Sequence, residues 1–187
     1  MTKKTIGNSP FLHPMPVVLV GTKSDGKPNY MTAAYAGVLN REPPIIGLGI
    51  AGTHLTAKII EEKKRFSINI PSEDLVIETD HCGLVSGKEV DKSQVFTTFY
   101  GEMEDVPMIE ECPVCFECTL YKNVENGMSY FAEIQQTHVD EEVLTDGSPD
   151  IAKVQPLIYS DQSYWKMGEK IGDAFSIGKK YNPNPSD

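Results

Sequence analysis

The apolar positions of this chain fall mostly in short runs separated by turn residues, the pattern of strands rather than of long helices. Residues 16 to 39, PVVLVGTKSDGKPNYMTAAYAGVL, hold two β-branched and aromatic runs around Ser24, Asp25 and Gly26, which predicts a hairpin. Arg41 to Pro44 breaks the chain, and IIGLGI then resumes as the continuous apolar run of a buried strand. From Thr53 the spacing changes: Leu55, Ile59 and Ile60 punctuate THLTAKIIEEKKR, which predicts a helix capped by Thr53 and ending on basic residues. FSINI follows as a strand ended by Pro71. A second helix is predicted from Ser72, with Glu73 and Asp74 in its first turn and Gly83 as its stop. Further strands are predicted near residues 97–103, 113–124 and 128–139, the last two joined through Asn126 and Gly127.

Two or three helices among hairpin-linked strands predict a mainly β fold, and a closed or nearly closed antiparallel barrel is the economical way to remove exposed edges. With 187 residues, no internal repeat and no linker, the chain is expected to form a single domain over residues 1–187. Its 40% hydrophobic and 24% charged residues are ordinary for a globular protein, the tail NPNPSD apart.

Charge narrows the partners. Seventeen Lys and Arg against twenty-seven Asp and Glu give a net charge of -10, which opposes binding to nucleic acid or to an anionic membrane. The apolar run VVLV is too short for a signal-peptide core or a membrane span, so a cytoplasmic protein is expected. Four cysteines in this length do not suggest a disulfide framework, and free thiols are expected.

Candidate chemistry concentrates in DHCGLVSGKEVDKSQVF, residues 80 to 96. His81 and Cys82 are adjacent, which sends their side chains apart on a helix or a strand and argues against a catalytic pair. A metal reading draws on CPVCFEC, where Cys112, Cys115 and Cys118 resemble the start of an iron-sulfur run. On a strand, however, Cys115 would face away from Cys112 and Cys118, so the three thiolates would not converge. An anion reading rests on Gly83, Ser86 and Gly87, whose permissive backbone and hydroxyl suit a nest, with Lys88 and Lys92 supplying charge. A solvated connector has the same composition.

NYMTAAYAGVL, THLTAKIIEEKKRFSINIPS and DHCGLVSGKEVDKSQVF, in this order and spacing, resemble the flavin reductase-like family, and most of all its flavoredoxin-like branch. The resemblance spans about residues 10–170, the compact unit of one domain. It implies an FMN-binding split β-barrel, typically a homodimer. It further implies that Asn29, Met31, Thr32, Ala33 and Tyr35 line the flavin, with Thr53, Leu55 and Thr56 near its phosphate and Ile68 and Asn69 beside the ring. Cys82, Gly83, Ser86, Gly87 and Lys92 would close over the cofactor, and Tyr164 matches an aromatic position of the family. Two departures stand out. SYFAEIQ replaces the family's later strand pattern, so Phe131 and Ala132 stand in for family residues near the flavin. The phosphate region lacks the arginine often seen in relatives, with His54 and Lys58 in its place.

The activity this resemblance implies is hydride transfer from NADH or NADPH to FMN, with electrons passed to free flavin, a ferric complex or an electron-transfer protein. The alternative is a non-catalytic FMN carrier reduced by a partner protein. A flavin brings its own reactivity, so no catalytic triad is required, and Asn29 and backbone N–H groups would suffice as donors. The absence of a dinucleotide fingerprint does not separate the two, because this family takes the nicotinamide directly over the flavin. A homodimer is favoured, with Trp165, Met167, Ile171 and Phe175 as a surface that caps the partner or the chain's own barrel.

Overall fold

The computed structural model describes residues 1–124 and 128–182. Its first hairpin joins β1 (Val18–Ser24) to β2 (Lys27–Ala33) with Ser24 opposite Lys27. Asp25 and Gly26 between them both have positive φ, 49° and 80°, the two-residue turn whose twist matches that of the strands. The apolar run after Tyr30 is not one long arm, as the pattern suggested, but breaks at Ala34 and Tyr35 and resumes as β3 (Ala36–Arg41), which turns into β4 (Pro44–Gly49). Asn40 stabilises that turn by donating from Nδ2 to the Glu42 and Pro43 carbonyls at 2.9 and 3.0 Å.

Helix α1 (Leu55–Lys63) leads into β5 (Arg65–Ile70), and α2 (Val76–Leu84) follows a single 3-10 turn at Glu73–Leu75. The long strands β6 (Val114–Asn123) and β7 (Ser129–Val139) complete a seven-stranded antiparallel sheet in the order β2-β1-β5-β6-β7-β4-β3. The predicted Asn126–Gly127 turn lies outside the described residues. Strands β2 and β3 sit at opposite edges of this sheet although only Ala34 and Tyr35 separate them in sequence, so the sheet curls until its edges meet at one corner. Among the described residues no strand pairing joins those edges, so of the closed or nearly closed barrel expected the structure shows the split form, open at this seam.

Both faces of β1 are buried, which is why it reads as an unbroken apolar run. Val18, Val20, Met31, Phe66, Ile68 and Cys118 point to an inner core with Ala57 and Ile60 of α1. Leu19, Tyr30 and Cys115 point the other way, into a second cluster with Cys82, Phe96, Met108 and Ile109. Hydrogen bonds hold this outer cover down. Asn69 donates to the Leu19 carbonyl at 2.9 Å and accepts from the Ile109 N–H at 3.1 Å, while the Ser67 hydroxyl donates to the Pro107 carbonyl at 2.5 Å.

Several local expectations are corrected. The N-cap of α1 is His54, without a side-chain capping bond, and Thr53 lies outside the helix. Ser72 precedes the 3-10 turn and makes no side-chain cap there, and α2 runs through Gly83 to Leu84 instead of stopping. Glycine is there for close approach: a Cβ at Gly83 would lie 3.3 Å from Thr32 Cβ. The strand expected over 97–103 is only Thr98–Phe99, paired with Met108–Ile109. No helix among the described residues is long and apolar enough to cross a membrane.

Candidate functional site

The N-terminus of α1, the end of α2, strand β2 and the 85–92 loop converge on a cleft of about 280 Å³. Nine residues expected in the site line it: Met31, Thr32, Leu55, Thr56, Cys82, Gly83, Ser86, Gly87 and Lys92. A second cavity of about 300 Å³ adjoins it across Leu55, Gly87 and Lys92 and adds Asn29. His54, Leu84 and Val85 also line the cleft. The sequence signal for His54 is its place inside THLT, at the start of α1. Nothing distinguishes Leu84 and Val85 from ordinary apolar residues.

Lys92 is the electrostatic centre of this arrangement. It is only 3% exposed, and its ammonium donates to the carbonyls of Cys82 and Tyr30 at 2.8 and 2.9 Å. An ammonium carries three N–H donors, and no carboxylate among the described residues forms an ion pair with it. Burial pulls its pKa below the usual lysine value. A buried cation lining a cleft without a counter-ion favours an anionic ligand. Lys88, the other cation of the loop, is instead spent on the Thr53 carbonyl at 2.6 Å.

The opposite wall is the first turn of α1, which carries no acidic residue and no side-chain cap. Its leading N–H groups are therefore available to an anion. Thr56 belongs to this turn and is 2% exposed, and its hydroxyl oxygen accepts from Asn29 Nδ2 at 3.1 Å, leaving its own proton to donate. Asn29 is itself fixed by a second bond, from Nδ2 to Thr22 Oγ1 at 3.2 Å. Gly87 presses directly on this amide: a Cβ there would come within 2.2 Å of Asn29 Oδ1 and 3.2 Å of Leu55. Thr32 on β2 donates its hydroxyl to the Thr79 carbonyl of α2, tying the two elements that flank the cleft. The Thr79 hydroxyl, buried beside it, has no hydrogen-bond partner among the described residues.

The remaining expected residues do not reach the cleft lining. Ala33 and Ile68 belong to the inner core, and Asn69 spends its amide on the outer cover. Tyr35 is 61% exposed at the corner between the sheet edges, and Thr53 contributes only its carbonyl to Lys88. Tyr164 stands against the outside of α2, donating to Asp80 at 2.9 Å. Burial, then that bond, pushes its phenol up to about 12. Of the departures, Ala132 is buried in the inner core, and Phe131 lies half-buried on the other face of β7. Lys58 is exposed and does not line the cleft.

The cysteines bear on the alternative readings. His81 is exposed while Cys82 is fully buried, and burial raises the Cys82 thiol to about 11 despite the lowering effect of Lys92. Cys115 and Cys118 face opposite sides of β6, as alternation requires. Cys112, however, shares the outer cluster with Cys115, contrary to the expectation that the two face apart, because it sits in the turn before β6 rather than on the strand. Among the described residues no group of three metal-ligating side chains could hold an ion.

Residues 11–168 match the family model of the flavin reductase like domain, and the chain belongs to that family. Flavoredoxin from Methanosarcina acetivorans is 40% identical and superposes with a TM-score of 0.91, covering 96% of this chain and 98% of that one. Flavoredoxin of Desulfovibrio vulgaris (Miyazaki F) is 37% identical with a TM-score of 0.88, covering 95% and 100%. An FMN-binding protein from Thermus thermophilus, 22% identical with a TM-score of 0.79 over 92% and 99%, shares the fold. The mainly β architecture with few helices is thus that of the FMN-binding split barrels, here with an unpaired seam.

Proposed function

We propose that this chain binds FMN and acts as an oxidoreductase that transfers a hydride from NADH or NADPH to the flavin and passes the electrons to free flavin, a ferric complex or a protein acceptor. The observation that carries the reading is the buried Lys92 ammonium, which lacks a carboxylate partner among the described residues and faces the uncapped first turn of α1 across a cleft. Family membership supplies the ligand class. A phosphate fits this donor set: a cation, the Thr56 hydroxyl and free helix N–H groups.

When bound, FMN supplies the two-electron chemistry itself. The residues of this chain hold and shield it. Lys92 and Thr56 bind the phosphate, with Leu55 and Gly87 forming the wall between the two cavities. Asn29 orients Thr56, and Thr32 with Gly83 keeps α2 against β2. Buried in the strands, Ala33, Ile68 and Asn69 act as support and not as contacts, while the exposed Tyr35 and Thr53 and the half-buried Tyr164 reach the flavin in an assembled dimer. A homodimer is supported by exposed apolar side chains late in the chain, Trp165 at 59%, Ile171 at 93% and Phe175 at 98%. Four unpaired cysteines support a reducing, cytoplasmic setting.

Similarity to two flavoredoxins favours a second reading, a carrier whose FMN a partner protein reduces. Anaerobic mixing of the flavin-loaded protein with NADH and NADPH separates them. Rapid bleaching of the flavin absorbance supports the reductase, and a flavin that stays oxidised until a ferredoxin-like protein is added supports the carrier.

A further inference from the structure

Cys112 and Cys115 take no part in the cleft, and with Cys118 sent to the other face of β6 the cysteine run reduces to Cys-Pro-Val-Cys. Both side chains are buried, at 2% and 1% exposure, and both line one cavity of about 290 Å³ on the outer face of the sheet. They start from a single tight turn: the Cys112 N–H donates to the Ile109 carbonyl at 3.2 Å, and the Cys115 thiol donates to the Ile109 and Cys112 carbonyls at 3.4 and 3.5 Å. The Cys115 sulfur therefore already stands against the Cys112 backbone. His138, opposite Cys115 on β7, forms the far wall, with Nε2 held 3.0 Å from the buried Glu117 carboxylate.

We propose that Cys112 and Cys115 form a thiol–disulfide redox site that low-molecular-weight disulfides reach through this cavity. One protein thiolate attacks a sulfur of the small disulfide, breaking its S–S bond, forming a mixed disulfide and releasing one small thiol. The second protein thiol then attacks the protein sulfur of that mixed disulfide, forms the Cys112–Cys115 bond and expels the second small thiol. Two electrons and two protons leave the dithiol and reduce the small disulfide to two thiols, so the step balances without another reactant.

The surroundings set the rate and the poise. Burial raises both thiols, Cys115 to about 12 and Cys112 well above its ordinary value, so little thiolate is present at neutral pH. The closed disulfide resists reduction for the same reason, because these sulfurs leave poorly as thiolates. The site lies apart from the flavin cleft and operates whether or not flavin is bound.

The test uses the full chain, reduced, freed of reductant and exposed to oxidised glutathione across a pH series, then acid-quenched, denatured and assayed for thiols and peptide linkages. The expected result is loss of two of the four thiols with a Cys112–Cys115 link and no retained glutathione. The rate should rise about tenfold per pH unit below the thiol range. Cys82→Ser and Cys118→Ser should still close the link, and Cys115→Ser should form none. Survival of all four thiols until the protein is unfolded in urea, a stable glutathione adduct, or a link to Cys82 or Cys118 would overturn the assignment. The wild-type peptide map decides even if a cysteine variant fails to fold.

Discussion

The Lys92 ammonium donates to the Cys82 carbonyl 2.8 Å away, joining the 85–92 loop to the last turn of α2 across the floor of the cleft. With the parallel bond to Tyr30 on β2, one side chain ties together three of the four segments that shape the site. The same side chain is its buried positive charge, so fold and ligand recognition meet in a single residue.

Lys92→Met tests this double role. The stem packs as before but the charge is lost, so FMN affinity should fall about 10- to 100-fold, the worth of a charge-assisted hydrogen bond. The flavin-free variant should lose far less stability, because removal of a desolvated cation offsets the two lost hydrogen bonds. Isothermal titration with FMN, beside thermal melts of the flavin-free proteins, measures both quantities.

The pH dependence follows from the depressed Lys92 pKa. Without ligand, the unfolded chain holds this proton more tightly than the folded one, so the contribution to stability rises as pH climbs from the folded value toward 10.5. An anionic ligand reverses the preference by favouring the ammonium. FMN affinity should be insensitive to this group below its folded pKa and should weaken as pH rises through it. Repeating the titrations of wild type and Lys92→Met over an alkaline series should show this loss in the wild type only.

Gly87→Ala probes the close approach between the loop and Asn29. A methyl group 2.2 Å from Asn29 Oδ1 cannot be accommodated without displacing the amide, and overpacking of this kind costs about 1–3 kcal/mol. Urea unfolding should show that loss, together with weaker FMN binding. Gly37→Ala, where a Cβ meets nothing within 4 Å, should change neither.

Much of this was legible in the sequence. The hairpin at Asp25–Gly26, both principal helices and the two longest strands follow from turn chemistry and periodicity, since those signals are local. The split of the second apolar arm at Ala34 and Tyr35 was not legible, because AAYAGVL reads as one apolar run although its second half, β3, is largely exposed at the sheet edge. Lys92 was named by the composition of the loop and by resemblance, but its burial was not legible, since nothing in KEVDK distinguishes a solvated lysine from one folded under a loop. Asn69 illustrates the converse: it sits in the FSINIP strand as expected, yet the alternation of β5 turns its amide to the outer cover.

Glu117→Gln tests how that outer cover is anchored. The Glu117 carboxylate is fully buried and accepts from the N–H groups of Met103 at 2.7 Å and Glu102 at 3.2 Å besides contacting His138. The amide keeps the shape but places an NH2 against a backbone donor, which should cost about 1–3 kcal/mol. The variant should show faster hydrogen exchange in residues 99–106, with FMN binding unchanged.

The most direct test is a titration of the flavin-free chain with FMN and with riboflavin, followed by quenching of flavin fluorescence. Saturation at one FMN per chain, with riboflavin bound at least about tenfold more weakly for want of a phosphate to meet Lys92 and Thr56, is the predicted result. Equal affinity for the two flavins, or no quenching by either, would contradict the assignment of the cleft.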